Sequence, residues 1–457
     1  MAGIGFELRR LLRKNTLLGL VEAYAYAGII SSGPWVFSIL GILAIGLISA
    51  SIATPSFTIT QFQTSVTYLV VSSLVLTGLV QLAFTRFVSD RLFEKRNDLI
   101  MANLNGLMLL VVTVASLIGT FCLFVIFPGL SLLYRLLMLA GFVMLCATWV
   151  TTVFLSGMKR YRAIVFLFAL AYAIIVGSAL ALRPYGLEGL LAGFVLGHLI
   201  LVGGMWLLTI RDFQADHELL RFDFARAEQC YPSLMLIGLL YNLGVWVDKL
   251  MFWYNPHTSD PVIGHLNASV IYDLPVFLAY LSIIPGMAVF LIRIETDFVE
   301  YYERFYNAVR SGGSLELIAG MRDEMVYSIQ QGLGEIAKIQ TLAVLLAVVA
   351  GPALLNILGI SELYLPLLYV QVIGAGLQVG LMAVLNVFFY LDQRRIVLML
   401  CGEFVFLNIA LTALSFAWGP AFYGYGFALS VLATLMTGLF LLSRQLNRLE
   451  YETFMLQ

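Results

Sequence analysis

Apolar runs of about 20 residues, the length that crosses the hydrocarbon of a bilayer, recur along the whole chain between short polar connections. The pattern predicts twelve membrane-spanning helices, at 17–50, 64–88, 99–127, 132–157, 162–182, 187–210, 232–254, 265–293, 339–359, 363–390, 396–418 and 423–443. No region is rich in strand signals. Two connections are long: 211–231, and 294–338. In the second, Phe298, Tyr301, Tyr302, Phe305 and Val309 recur at helical spacing, and after Gly312 and Gly313 so do Leu315, Ile318, Met325, Ile329 and Ile336. These helices either lie on the bilayer surface or present Tyr301, Tyr302 and Phe305 to a docking partner.

The basic residues choose one membrane side. Arg9, Arg10, Arg13 and Lys14 precede the first span, and every second connection after it is likewise basic, so that 23 of the 26 lysines and arginines lie on one side. The other side holds only Arg135 and Arg183, near span ends, and Lys249 alone lies well inside a span. Basic loops stay cytoplasmic, so both termini are expected there. The start of the chain shows no cleavable signal pattern.

Six crossings return the chain to its starting side, which predicts a lobe over 1–210, a linker over 211–231, and a second lobe over 232–457 carrying the cytoplasmic insertion 294–338. Weak self-similarity fits two six-helix lobes related by a pseudo-twofold along the membrane normal. GPWVFSIL at Gly33 matches GVWVDKLM at Gly244, RFVSD at Arg86 matches RIETD at Arg293, and FLSGMKRYRAIV resembles YLDQRRIV in the same order.

Composition agrees with this all-α polytopic reading: 61% of the 457 residues are hydrophobic and 12% charged, against a charged fraction of about 25% in soluble domains. A net charge of −1 with side-sorted basic residues offers nothing to nucleic acid. The four cysteines, Cys122, Cys146, Cys230 and Cys401, lack metal-ligand spacing and read as free thiols. No enzymatic constellation emerges from the scattered histidines, no glycine-rich phosphate loop is present, and neither cofactor nor metal is expected.

The candidate chemistry is therefore transport. In LGVWVDKLMFWY, Asp248 and Lys249 stand in the outer half of the seventh span, where each charge costs about 2.5–3.5 kcal/mol. Neighbouring residues project about 100° apart on a helix and are not expected to pair with each other, which makes Asp273 of the next span the natural partner of Lys249. Glu22 and Glu403 are further acids within spans, and Tyr24 and Trp246 are aromatic platforms on the helices expected to face a cavity. Two readings stay open: Lys249 and Asp273 tie two helices together, or the group forms a cation or substrate site. In IISSGPWVF, Pro34 removes a backbone donor and Gly33 permits a bend, with Ser31 and Ser32 placed to satisfy the released groups. This is a structural kink or a hinge for alternating access.

Twelve spans with special first and seventh helices resemble the multidrug/oligosaccharidyl-lipid/polysaccharide flippase superfamily. The opening MAGIGFELRRLLRKNTLLGLVEAYAYAGIISSGPW is closer still to the Pel exopolysaccharide transporter (PelG) family. That resemblance implies a non-enzymatic inner-membrane exporter of an amino-sugar polymer. It also implies a cytoplasmic glycosyltransferase and membrane scaffold proteins, among them a cyclic-di-GMP receptor, as partners. The rival functions are a cation-coupled antiporter of lipid-linked oligosaccharides or small cationic compounds, and a membrane-embedded glycosyltransferase, which the short external loops disfavour.

Overall fold

The computed structural model describes residues 17–50, 56–157, 160–212, 218–226, 229–357 and 361–455. The MAGIGFELR opening, with Arg9, Arg10, Arg13 and Lys14, lies outside the described residues, as do Lys159 and His217. Helices dominate: α1 Leu17–Ala50, α2 Ser56–Phe93, α3 Asp98–Phe121, α4 Leu132–Gly157, α5 Tyr161–Leu182, α6 Gly186–Asp212, α7 Pro232–Tyr254, α8 Val270–Leu281, α9 Ile284–Ile292, α10 Val299–Arg310, α11 Leu315–Ile357, α12 Leu365–Tyr390, α13 Arg394–Trp418 and α14 Tyr425–Met455. A bilayer offers the backbone no water, so a spanning segment must bond its own N–H and C=O groups, which a helix does.

Among the described residues nine segments are long and apolar enough to cross a membrane, or ten if α8 and the stretch from Ile284 to Arg310, bent by 40°, form one span. One of the nine, Arg162–Asp212, contains both α5 and α6 around the turn Arg183–Tyr185. With apolar α1, each of the twelve expected spans has a helix.

By packing, the chain divides into two compact units. One is Pro34–Ser269; the other joins the chain before Pro34 to everything from Val270 on. One boundary thus falls on the Gly33–Pro34 bond, inside α1. The segment 211–231 lies within the first unit.

In the Pro34–Ser269 unit, α2 and α7 approach at Gly78 and Gly238: a Cβ at Gly78 would stand 2.7 Å from the Gly238 carbonyl oxygen. Small residues let helix backbones meet in this way, and Asn242 Nδ2 donates to Leu74 O at 3.1 Å beside the crossing. Phe62, Phe87, Phe168 and Phe194 fill the core. A short antiparallel hairpin, β1 Asp260–Ile263 and β2 Leu266–Ala268, pairs Asp260 with Ala268. It is pinned to α2, whose Tyr68 hydroxyl donates to Asn267 O at 2.9 Å while its ring stacks on Trp253 at 4.6 Å. The eighth span therefore starts at Val270, not at 265. The buried–half-buried–buried alternation of Leu266, Asn267 and Ala268 is a strand period, masked in the sequence by the apolar run that follows.

In the other unit, α8 carries Pro275 and α9 has Pro285 as its second residue, which accounts for the bend between them. A π-helical turn, Arg293–Phe298, leads into α10. The expected second surface helix and the ninth span prove to be one helix, α11, of 43 residues. At 1.5 Å per residue it is about 65 Å long, roughly twice the hydrocarbon thickness. No proline interrupts it before Pro352.

The expected docking face of α10 is already occupied. Phe305 is fully buried, and Tyr302 packs against Tyr306 at 4.6 Å and Tyr390 of α12 at 5.7 Å. Periodicity reveals an apolar face but not what covers it, and here the chain covers its own. Tyr301 stays half-buried, with the Arg304 guanidinium 5.5 Å from its ring centre. Phe305→Ala is expected to destabilise the protein by about 3–5 kcal/mol and to lower its melting temperature, whereas Tyr301→Ala leaves it near wild type; equal melting temperatures for the two variants would contradict this packing.

Candidate functional site

Two clusters of charge stand out, one in each unit. In the first, Asp248 and Lys249 are almost wholly buried, at 0% and 2% exposure. They pair with each other: Lys249 Nζ donates to both Asp248 carboxylate oxygens at 3.2 Å and to the Val245 carbonyl at 2.8 Å. The expectation that adjacent residues do not pair is thus corrected. It compared Cβ directions, but side chains on a helix lean toward its N-terminus, and the long lysine stem folds back over its own helix to bring the ammonium to the carboxylate. Trp246 completes the group, its ring centre 5.8 Å from Nζ. The ammonium thus has three acceptors on α7 alone, and the pair is close to neutral where isolated charges would be costly.

Asp273, expected as the counter-charge of Lys249, sits half-buried in the first turn of α8, where free backbone N–H groups favour a carboxylate. Lys249 does not need it as its sole counter-charge, because Asp248 already supplies one.

The second cluster surrounds Arg293. Its guanidinium grips Glu335 of α11 through two bonds, Nε to Oε2 at 2.6 Å and Nη2 to Oε1 at 2.9 Å, and Asp297 through Nη1 at 2.7 Å. Next to it, Asn386 Nδ2 and the Tyr390 hydroxyl of α12 donate to Glu295 at 2.7 and 3.1 Å. Tyr24 of α1 stands within the electrostatic reach of Arg293, Glu335 and Asp297. This network locks the π-helical turn between α9 and α10 against two other helices.

Arg293 and Asp297 belong to the RIETD copy of the repeat. In the RFVSD copy, Arg86 Nε lies 3.1 Å from the Asp90 carboxylate, so both copies close the same i,i+4 ion pair. There the additional partner is Tyr231, whose hydroxyl donates to Asp90 at 2.5 Å. That bond, followed by burial, raises the phenol above its usual pKa. The pairs were legible as a repeated motif; Glu335, Glu295, Asn386 and Tyr390 were not, because their contacts depend on how distant helices return.

The remaining expected residues disperse. Glu22 is exposed on α1, and Glu403 of α13 accepts from Thr437 of α14 at 2.9 Å, a bond between neighbouring helices. Helix α1 continues through Gly33 and Pro34, and the hydroxyls of Ser31 and Ser32 both turn to the Gly28 carbonyl, at 3.3 and 2.6 Å, rather than to the Ile30 carbonyl that Pro34 releases. Among the described residues no three His, Cys, Asp or Glu side chains gather as a metal site.

A family model described as "PelG: Putative exopolysaccharide Exporter (EPS-E)" matches residues 1–454. Among curated proteins none matches in sequence. Several solved structures share the fold. One is a multidrug resistance transporter of the MATE family, MOP superfamily, in an outward-facing conformation, with a TM-score of 0.69 and 13% identity over 94% of this chain and 96% of that one. A MOP superfamily transporter from Pyrococcus furiosus, noted for reverse polarity of its binding pocket, gives 0.67 and 13% over 93% and 96%. An inward-facing MATE transporter gives 0.62 and 11% over 93% and 95%.

Proposed function

Because the chain belongs to the PelG family of exopolysaccharide exporters, we propose that it carries an amino-sugar exopolysaccharide from cytoplasm to periplasm across a bacterial inner membrane. The observation that carries this reading is the family match along the whole chain, on a fold shared with multidrug transporters. It is a transporter rather than an enzyme. The polymer is made elsewhere, and a cytoplasmic glycosyltransferase with membrane scaffold proteins, including a cyclic-di-GMP receptor, hands it over. The projecting half of α11, with Leu315 and Tyr327 exposed at 69% and 66%, is the surface offered to them, together with Tyr301.

Transport proceeds by alternating access of the two halves. Two considerations support this. Transporters of this fold have been solved in outward-facing and inward-facing conformations, and one boundary between the compact units of this chain falls on Gly33–Pro34, where proline weakens the helix. Asp248, Lys249 and Trp246 supply the intramembrane polar and aromatic contacts, since charge retained in a span at this cost is ordinarily functional. Depleting the chain from cells that make the polymer is expected to trap it in the cytoplasm; undiminished surface polymer would refute the proposal.

Orientation has its own test. With both termini cytoplasmic, cysteines introduced as Thr58→Cys and Ser259→Cys should react with an impermeant thiol reagent in intact cells, and Gly313→Cys should not. Labelling at position 313 would invert the topology.

A further inference from the structure

We propose that a cavity at the arginine-rich end of α2 and α3 is a headgroup site for an anionic, hydroxyl-bearing phospholipid, of which phosphatidylglycerol is the simplest. The cavity, about 520 Å³, lies wholly within the Pro34–Ser269 unit and is lined by Arg91, Arg96, Arg221 and Arg226 against the carboxylates of Glu218 and Asp223. Three of the arginines have acidic partners: Arg91 with Glu94 at 2.8 Å, Arg226 with Asp223 at 2.9 Å, and Arg221 with Glu218. Arg96 adds positive charge beyond these pairs.

The walls of the cavity are built rather than loose. Asn103 of α3 donates to the Asp223 carboxylate at 3.1 Å and accepts from the Asp223 backbone N–H at 2.8 Å. The Arg221 N–H donates to the Ala102 carbonyl at 3.0 Å, and Asn105 Nδ2 to the Leu219 carbonyl at 2.8 Å. Gly106 lets this strap lie directly on the helix, since a Cβ there would overlap the Arg221 carbonyl. Among the described residues, two buried atoms of the cavity lining have no hydrogen-bond partner, a donor at Arg91 Nε and an acceptor at Gln229 Oε1. The Arg91 side chain is only 12% exposed. Buried polar atoms are ordinarily satisfied, and these two call for a ligand that offers acceptor oxygens to one and a hydroxyl proton to the other. A phosphodiester carrying a hydroxylated group does both.

Membrane lipid and soluble nucleotide share that chemistry. The apolar rim selects the lipid: Leu220 and Phe222 line the cavity yet are 50% and 44% exposed, and adjoining Leu219 and Phe93 are 72% and 84% exposed. Such side chains suit acyl chains at the bilayer interface, and basic pockets at helix ends are established sites for anionic headgroups.

The test is native mass spectrometry of the full-length protein released from phosphatidylcholine nanodiscs doped with phosphatidylglycerol. Retention of phosphatidylglycerol should exceed that of phosphatidylcholine at least tenfold, and Arg91→Gln with Arg96→Gln should abolish the preference without changing the melting temperature in phosphatidylcholine. Gln229→Leu, which disturbs no charge, should weaken phosphatidylglycerol retention while leaving that of phosphatidic acid, whose headgroup has no glycerol hydroxyl; this variant decides the matter if the arginine double variant fails to fold. Equal retention of the two lipids, unchanged retention in the variants, or displacement of phosphatidylglycerol by equimolar uridine diphosphate would overturn the assignment, the last by placing a soluble phosphate ligand in the cavity.

Discussion

Lys249→Met is expected to reduce the abundance of the protein sharply, because it removes the ammonium paired with the Asp248 carboxylate, which is 0% exposed in the interior of the unit. Breaking a buried pair from one side costs about 3–5 kcal/mol, whereas replacing both members with apolar residues is often neutral. Adding Asp248→Leu should therefore restore abundance and melting temperature, the reverse of what two independent structural residues would do. The same double variant separates the two readings of the pair. If the pair serves transport, the restored protein stays unable to export; if it only completes the packing of α7, export returns with abundance. Loss of export is the expected outcome. Wild-type stability of Lys249→Met alone would contradict the buried ion pair itself.

The second large effect is expected at Arg293, where a single guanidinium holds Glu335 and Asp297 together. Arg293→Met leaves two carboxylates facing one another at the π-helical turn. Loss of bonds between charged groups at such a half-buried site is expected to cost about 2–3 kcal/mol. Arg293→Lys keeps the charge without the planar two-pronged grip and should recover only part of it. The equivalent change in the other copy of the motif, Arg86→Met, removes a pair whose arginine is 42% exposed, and pairs that open to solvent contribute little. A melting temperature for Arg86→Met as low as that for Arg293→Met would show that the Glu335 contact is not what distinguishes the two copies.

The helical architecture was legible because a spanning helix needs only a long apolar run, a property carried by each segment alone. The Arg86–Asp90 and Arg293–Asp297 pairs were legible for the same reason: an i,i+4 contact is written locally. What the sequence concealed depends on distance or on side-chain reach. Glu335 meets Arg293 only because α11 runs back beside the turn, 42 positions away. Phe305 looked like an exposed docking residue because periodicity is blind to what packs on the face it reveals. The Asp248–Lys249 pair was missed for a different reason. Angular separation of backbone positions is not separation of charges, because a lysine side chain is long enough to close it. The hairpin Asp260–Ala268 was too short to register against neighbouring spans.

Passage of a polysaccharide through the membrane by this chain is open to direct measurement. Inside-out inner-membrane vesicles carrying it, supplied from outside with the labelled polymer and its synthase and then treated with a hydrolase specific for that polymer, measure this directly. A hydrolase-resistant fraction inside the vesicles is expected that requires the chain and disappears with the Asp248→Leu, Lys249→Met double variant. Complete digestion of the polymer, in vesicles that meanwhile accumulate a small cationic compound in a chain-dependent manner, would contradict polysaccharide export and favour a cation-coupled antiporter on the same fold.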